Sequence, residues 1–222
     1  MKIAAVIPAL NEAGHIESVV RDAASLVDAV IVVDDGSTDA TAACAQHAGA
    51  RVVRHHARRG KGSALRSGFA CALDLGCSAV VTLDGDGQHD PHEIPKLIDR
   101  WHRTRAGIVI GSRMGDTSTM PVHRQFTNRS SSAIVSLLCS KRINDTQSGY
   151  RLVSSEVIRA VKTTLPNYEM ESELLVKAAR AGFAIVEVPV RTIYRADAQS
   201  KIHPLRDTWR FLATAVRLWR RA

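Results

Sequence analysis

Two carboxylates one residue apart, Asp84 and Asp86, close the run Val80-Val81-Thr82-Leu83, and Gln88, His89, Asp90 and Pro91 follow at once. An apolar, β-branched run without alternation reads as a strand buried on both faces of a parallel sheet. Open α/β sheets hold their ligands off the carboxyl ends of such strands. Two acidic oxygens there, with the Gln88 carboxamide in reach, suit a hard divalent cation, Mg²⁺ or Mn²⁺, that keeps waters and shares a substrate's phosphates. Asp90 and Pro91 read separately as the N-cap and first residue of the next helix. The acidic stretch therefore serves a helix start as well as a metal.

The elements that would position these groups repeat as strand, polar loop, helix. Ile3 to Ile7 is a short apolar strand, followed by Pro8-Ala9-Leu10-Asn11-Glu12 and a helix to about Val27. Ala29 to Val33 is a second strand, stopped by Asp34-Asp35-Gly36-Ser37-Thr38-Asp39, with a helix through about Ala48. Arg51 to Arg54 is a third; Gly60-Lys61-Gly62-Ser63 then opens a helix to about Leu75, and Ala79 to Leu83 is the fourth strand. This pattern predicts an α/β protein with a doubly wound, mostly parallel, Rossmann-like sheet and helices on both faces. Asn11 and Glu12, Asp34 and Asp35, and Asp84 and Asp86 all fall at strand exits, so they should converge on one cleft. Asp34 reads equally well as a turn carboxylate that binds local backbone N–H groups.

Further along, Ile108 to Gly111 makes a fifth strand, ending in Ser112-Arg113. A polar segment to about Val122 breaks the pattern before a helix that includes Arg124, Asn128 and Arg129. Arginine forks suit phosphate, though the same residues read as solvated helix surface. Glu169-Met170-Glu171-Ser172-Glu173 opens another helix, where acidic residues are favourable on dipole grounds alone. Phe183 to Val190, interrupted by Pro189, gives an edge strand.

At 222 residues the chain reads as one domain over residues 1–204, with a basic helix over 205–222. Five of its eight net positive charges lie in residues 201–222, and aromatics make up only 5%, a poor match to a nucleic-acid groove. Leu205, Trp209, Leu212, Val216 and Trp219 form a helical stripe flanked by Arg206, Arg210, Arg217 and Arg221. That is the pattern of a helix lying in a membrane interface, or of one packed on the domain with its arginines snorkelling. Cys44, Cys71, Cys77 and Cys139 show no ligand-like spacing and read as reduced thiols of a cytoplasmic protein. The apolar run before Pro8 is too short for a signal peptide, and no stretch has the length to span a bilayer. G-x-G-x-x-G and Walker loops are absent, which leaves an acidic cleft with metal-bridged phosphates.

I-P-A-L-N-E (7–12), V-D-D-G-S-T-D (33–39), G-K-G (60–62), L-D-G-D-G-Q-H-D-P (83–91) and Q-S-G-Y-R (147–151), in this order, resemble family 2 glycosyltransferases of the GT-A fold. The nearest likeness is to the dolichyl- or polyprenyl-phosphate sugar transferases. The resemblance implies a UDP- or GDP-linked sugar donor, a lipid-linked phosphate acceptor and inversion at the anomeric carbon. It puts Pro8, Leu10, Asn11 and Glu12 along the nucleoside, with Glu12 toward the ribose and Asp35 and Lys61 near the same pocket. Asp84, Asp86 and Gln88 would carry the Mg²⁺ or Mn²⁺. Asp86, Arg151, Glu171 and Glu173 would stand close to the reacting sugar, although Arg151 also reads as a structural anchor of its loop. Arg113, Arg124 and Arg129 would hold the acceptor phosphate. Arg195 and Lys201, in an R-x-x-x-x-S-K stretch like the family's closing loop, would neutralise the leaving diphosphate. A hydroxyl acceptor is the alternative, and would make Glu171 or Glu173 the base. Either acceptor implies a cytoplasmic enzyme, peripheral on the membrane if the C-terminal helix binds there.

Overall fold

A computed structural model of the chain describes residues 1–115, 122–191, 193 and 204–219; within these, only the backbone is described for 122–124, 204–209 and 212. One seven-stranded sheet runs through the described residues. Its strands are β1 (Ile3–Ala9), β2 (Ala29–Asp34), β3 (Arg51–Arg54), β4 (Ala79–Thr82), β5 (Ile108–Ser112), β6 (Arg151–Ser154) and β7 (Ile185–Pro189), in the spatial order β3-β2-β1-β4-β6-β5-β7. β1 pairs in parallel with β2 and β4, β2 with β3, and β5 with β7. β6 alone is reversed, antiparallel to both β4 and β5.

The expected alternation is present, with α1 (Ile16–Ala24), α2 (Thr41–His47), α3 (Lys61–Asp74) and α4 (Ile94–Thr104) linking the first five strands. α5 (Val122–Leu138), α6 (Ser155–Ala160), α7 (Glu169–Arg180) and α8 (Pro204–Trp219) follow. Period-two alternation on β1 divides the core between the two faces of the sheet. Val6 joins Leu65, Phe69, Ile108, Met170 and Leu174 on one face, and Ile7 joins Ile16, Val20, Leu97, Trp101 and Leu152 on the other. The turn into α4 starts as read from the sequence: Asp90 accepts from the His92 N–H at 3.0 Å, with Pro91 next. α4 ends at Arg105 in the left-handed region (φ 51°).

The reversed strand and α6 behind it were not read from the sequence. β6 is only Arg-Leu-Val-Ser, completely buried, and begins with a charged residue, so neither length nor hydrophobic pattern announces it. Pro189 closes β7 at the edge of the sheet, where a missing N–H costs least.

α8 packs on the domain against α5 and α7. Thr214 and Leu218 are buried and Phe211 is half-buried on the core, whereas Val216 and Trp219 are exposed. Among the described side chains of that stripe, both point to solvent. No helix among the described residues is long and apolar enough to cross a membrane.

Candidate active site

The parallel order β3-β2-β1-β4 brings three strand exits to one rim, and side-chain to backbone bonds fix the loops there. Asn11, at φ 53°, receives a bond from the Thr38 N–H on its Oδ1 (2.9 Å) and donates its own N–H to Ser37 Oγ (2.9 Å). The Glu12 N–H donates to Thr41 Oγ1 at 2.8 Å, and the Glu12 carbonyl accepts the first N–H groups of α1. Pro8 lies in register with Val33, and Pro8 and Leu10 are both half-buried at this exit. The residues expected along a nucleoside thus form one wall, tied across two loops.

Asp34 and Asp35 divide the work at the exit of β2. Asp34 is fully buried; its Oδ1 accepts from the Ser37 N–H (2.8 Å), and Arg54 Nε stands 3.2 Å from Oδ2. The local-turn reading of Asp34 describes this geometry. Asp35 accepts from the N–H groups of Arg59 (2.9 Å) and Gly60 (2.8 Å), and its Oδ1 lies 2.7 Å from His55 Nδ1. His55 Nε2 reaches Ser67 Oγ of α3 at 3.0 Å. A groove of about 390 Å³, lined by Gly36, Ser37, Thr38, Arg54, His55 and His56, opens beside this network.

Gly60 lets the chain turn sharply into α3 at φ 95°; a Cβ there would fall 2.5 Å from the Pro166 carbonyl oxygen. The turn aims Lys61 into the cleft. Its Nζ lies 2.7 Å from Asp84 Oδ1, 3.5 Å from Glu171 Oε1 and 5.6 Å from the centre of the Tyr168 ring. Burial alone would lower the ammonium's pKa, but Asp84 and then Glu171 hold it above its ordinary value. Burial likewise pushes the Asp84 carboxyl up, yet the Lys61 ammonium, by its charge and its hydrogen bond, brings it down to about 2. His89 is buried, its ring stacked on Tyr150, and its Nδ1 accepts the Asp84 N–H at 3.0 Å. That bond needs a neutral ring with the proton on Nε2, and burial, the largest influence, lowers the ring's pKa.

Because β6 is reversed, the segment that precedes it reaches the same rim as the segments that follow the other strands. Gly149 sits there in the closest possible contact: a Cβ would fall 2.9 Å from Lys61 Nζ, 3.0 Å from Glu171 Oε1 and 3.5 Å from Asp84 Oδ2. Three charged groups, from the loop after β4, from α3 and from α7, thus meet over a residue that has no side chain.

The residues present fit a divalent ion. Asp84, ionised and with about a third of its side chain exposed (32%), turns Oδ2 toward the space that a Gly149 side chain would fill. Asp86 stands beside it, accepting from the Gln88 N–H (3.0 Å) and from Gln88 Nε2 (2.6 Å), which leaves the carboxamide oxygen as a further hard donor. No three carboxylate, imidazole or thiol groups converge among the described residues, so a bound ion would draw its other ligands from water or substrate oxygens.

The remaining expected residues are distributed unevenly. Glu171 belongs to the cleft, but Glu173 does not: its carboxylate accepts from the N–H groups of Thr164 (2.8 Å) and Leu165 (3.0 Å) and pairs with Lys177 (2.7 Å), fastening the loop before α7. Arg151 is buried, and instead of facing the cleft it donates to the carbonyl oxygens of Ser148 (2.7 Å), Thr146 (2.7 Å) and Glu171 (2.8 Å). It is a positioning residue for the Gly149 loop and the start of α7, the anchoring alternative of the sequence reading. Arg113 makes a two-pronged pair with the fully buried Asp145, through Nε (2.9 Å) and Nη2 (2.8 Å). Arg129 is exposed on α5. The Arg124 side chain, Arg195 and Lys201 lie outside the described residues. His89, Tyr150, Tyr168, Gly149 and Asp145 were not singled out from the sequence; only His89, Gly149 and Tyr150 carried a signal, as members of the motifs.

Sequence and structure comparisons place the chain in a family. Glycosyl transferase family 2 matches residues 4–160, and the chain belongs to that family. It is a glycosyltransferase of GT-A architecture. The UDP-N-acetylglucosamine–dolichyl-phosphate N-acetylglucosaminyltransferase of Methanococcus voltae is 32% identical over 212 residues, covering 85% of this chain and 84% of its own. The undecaprenyl-phosphate mannosyltransferase of Micrococcus luteus is 30% identical over 218 residues, covering 91% and 88%. Among solved structures, glucosyl-3-phosphoglycerate synthase of Mycobacterium tuberculosis with Mn²⁺, UDP-glucose and phosphoglyceric acid superimposes with a TM-score of 0.77 at 26% identity, covering 98% of this chain and 79% of that one.

Proposed function

We propose that the chain transfers a sugar from a nucleoside diphosphate to a polyprenyl phosphate, with a divalent ion, Mg²⁺ or Mn²⁺, at Asp84, Asp86 and Gln88 and with inversion at the anomeric carbon. The observation that carries this reading is the ionised, partly open Asp84 carboxylate, set against Lys61 and Glu171 over Gly149. An ion bound there supplies charge neutralisation for the departing diphosphate. The chain's own groups do the rest. The wall of Pro8, Leu10, Asn11 and Glu12, with Asp35 behind it, orients the nucleoside. The Lys61 ammonium adds positive charge beside the diphosphate, and Arg195 and Lys201 close over it and keep water out. Arg113, Arg124 and Arg129 hold the acceptor phosphate, with Asp145 fixing the angle of the Arg113 fork. An acceptor oxygen bonds to the anomeric carbon as the bond to the diphosphate oxygen breaks on the opposite face.

The acceptor assignment rests on acid–base chemistry and on the relatives' substrates. A phosphate is already anionic and needs no base, whereas a hydroxyl must lose a proton. Glu173 is committed to the loop before α7, and Glu171 stands next to an ammonium. Both relatives described above are named for a polyprenyl-type phosphate acceptor. The exposed Val216 and Trp219 with Arg217 on α8 give the enzyme a peripheral contact with the membrane that holds such an acceptor. The four unpaired cysteines suit the cytoplasmic side.

Incubation with radiolabelled UDP- and GDP-sugars, undecaprenyl or dolichyl phosphate and each metal tests the reading. The expected result is label in the organic phase, abolished by chelator, with an anomeric configuration opposite to the donor's. Transfer to hydroxyl-bearing lipids or glycans alone would overturn the acceptor assignment.

A further inference from the structure

Lys61 occupies an unusual position for a residue assigned to a nucleotide pocket. Its ammonium stands 2.7 Å from Oδ1 of Asp84, the carboxylate proposed to hold the divalent ion, and 3.5 Å from Glu171. It therefore has two anionic partners within reach. The lysine is largely covered, with 15% of its side chain exposed, and the Tyr168 ring lies beneath it. α3 is held fast at this end, where the Ser63 N–H donates to the Pro166 carbonyl (3.0 Å) and Arg66 Nη1 to the Leu165 carbonyl (2.6 Å), so the freedom that remains is in the lysine side chain.

We infer that Lys61 is the resident counter-cation of Asp84, released to Glu171 and the diphosphate when the metal–donor complex arrives, and that it makes metal binding conditional on nucleotide. The inference rests on the metal site proposed above. Without nucleotide, a divalent ion must take a carboxylate that already has a cation and then tolerate that cation a few ångströms away. At such distances charge–charge terms in a partly covered site are worth several-fold to many-fold in affinity. A diphosphate brings enough negative charge to offset both cations, so metal and nucleotide each strengthen the other's binding by the same factor. Glu171 keeps the displaced ammonium partnered in the covered site, where an unpaired charge is costly.

Mn²⁺ binding measured by electron paramagnetic resonance, with and without UDP or GDP, on the wild-type protein and on Lys61→Met, Lys61→Gln and Lys61→Arg, tests this directly. For Lys61→Met and Lys61→Gln, Mn²⁺ alone binds about tenfold tighter than to wild type, while the gain on adding nucleotide shrinks. Lys61→Arg keeps the wild-type pattern. A purely structural lysine would weaken both kinds of binding together. Circular dichroism identifies a variant that has not folded, and two neutral replacements guard against that loss. If wild type binds Mn²⁺ with nucleotide but the neutral variants bind the bare ion no more tightly, the counter-cation role is overturned and the metal site stands. If no protein binds Mn²⁺ under either condition, the metal site itself fails, and the inference with it.

Discussion

The half of the sheet from β3 to β4 and the half from β5 to β7 are built differently. In the first, every exit loop is bonded to another element: Asn11 to Ser37 and Thr38, Glu12 to Thr41, Asp35 to Arg59 and Gly60, Asp84 to His89 and Lys61. In the second, α5 and α8 turn Phe126, Leu137, Val216 and Trp219 to solvent, beside the exposed Arg129, Arg180 and Arg217. The larger of the two grooves described, about 420 Å³, lies here, between α5, α7 and α8, and not at the strand exits. A rigid, cross-tied half suits a donor whose shape is constant. A half that displays apolar and basic groups suits an acceptor delivered from a surface.

Substitutions can break that contrast. The largest effect is expected from Asp84→Asn, which removes the ionised oxygen at the donor edge: sugar transfer falls about 1,000-fold, read in the radiolabel assay with folding checked by circular dichroism. Next is Arg151→Met. Losing three bonds to carbonyl oxygens from a buried cation lowers stability by about 3–5 kcal/mol, measured by urea unfolding. Asp35→Ala strips the Arg59 and Gly60 N–H groups and His55 of their acceptor and costs about 2–4 kcal/mol, accompanied by weaker nucleotide binding in a thermal-shift titration. On the other half, Val216→Ser with Trp219→Ala reduces binding to anionic vesicles while changing stability by about 0.5 kcal/mol or less. A pH series gives the smallest signal. The Asp84 carboxyl lies lower in the folded protein, at about 2, than its ordinary 3.8, so its contribution to stability is complete above that ordinary value. It is lost as pH falls through the folded value, and the difference in stability between wild type and Asp84→Asn should narrow only across that window.

The same contrast explains what the sequence revealed. The half from β3 to β4 was legible because Asn11, Glu12, Asp34, Asp35, Asp84 and Asp86 follow or close buried apolar strands, and strand exits are positions a pattern can find. Lys61, read beside Asp35 at the nucleoside, instead stands 2.7 Å from Asp84, and Gly149 joins them because its motif precedes a strand that runs the other way. Glu171 and Glu173 looked equivalent, since acidic residues at a helix start are favoured on either face; only the fold separates the one at the cleft from the one that fastens Thr164 and Leu165. Arg151 was ambiguous because a buried guanidinium is satisfied by carbonyl oxygens, which leave no trace in side-chain composition. On α8 the sequence showed an amphipathic stripe; among the described side chains Phe211, Thr214 and Leu218 are the ones turned to the domain, while Val216 and Trp219 are exposed.

The reversed strand has a consequence for how the molecule assembles. In the order β3-β2-β1-β4-β6-β5-β7, the two halves share no ladder among the described residues except through residues 151–154. Those four residues are made after both of the strands they join, and they must slide between them before the sheet is continuous. Pairing across so long a stretch of chain is a slow event. Shaving Leu152 or Val153 should therefore retard refolding more than an equal loss of volume on α1, as though a keystone had been thinned and not a wall.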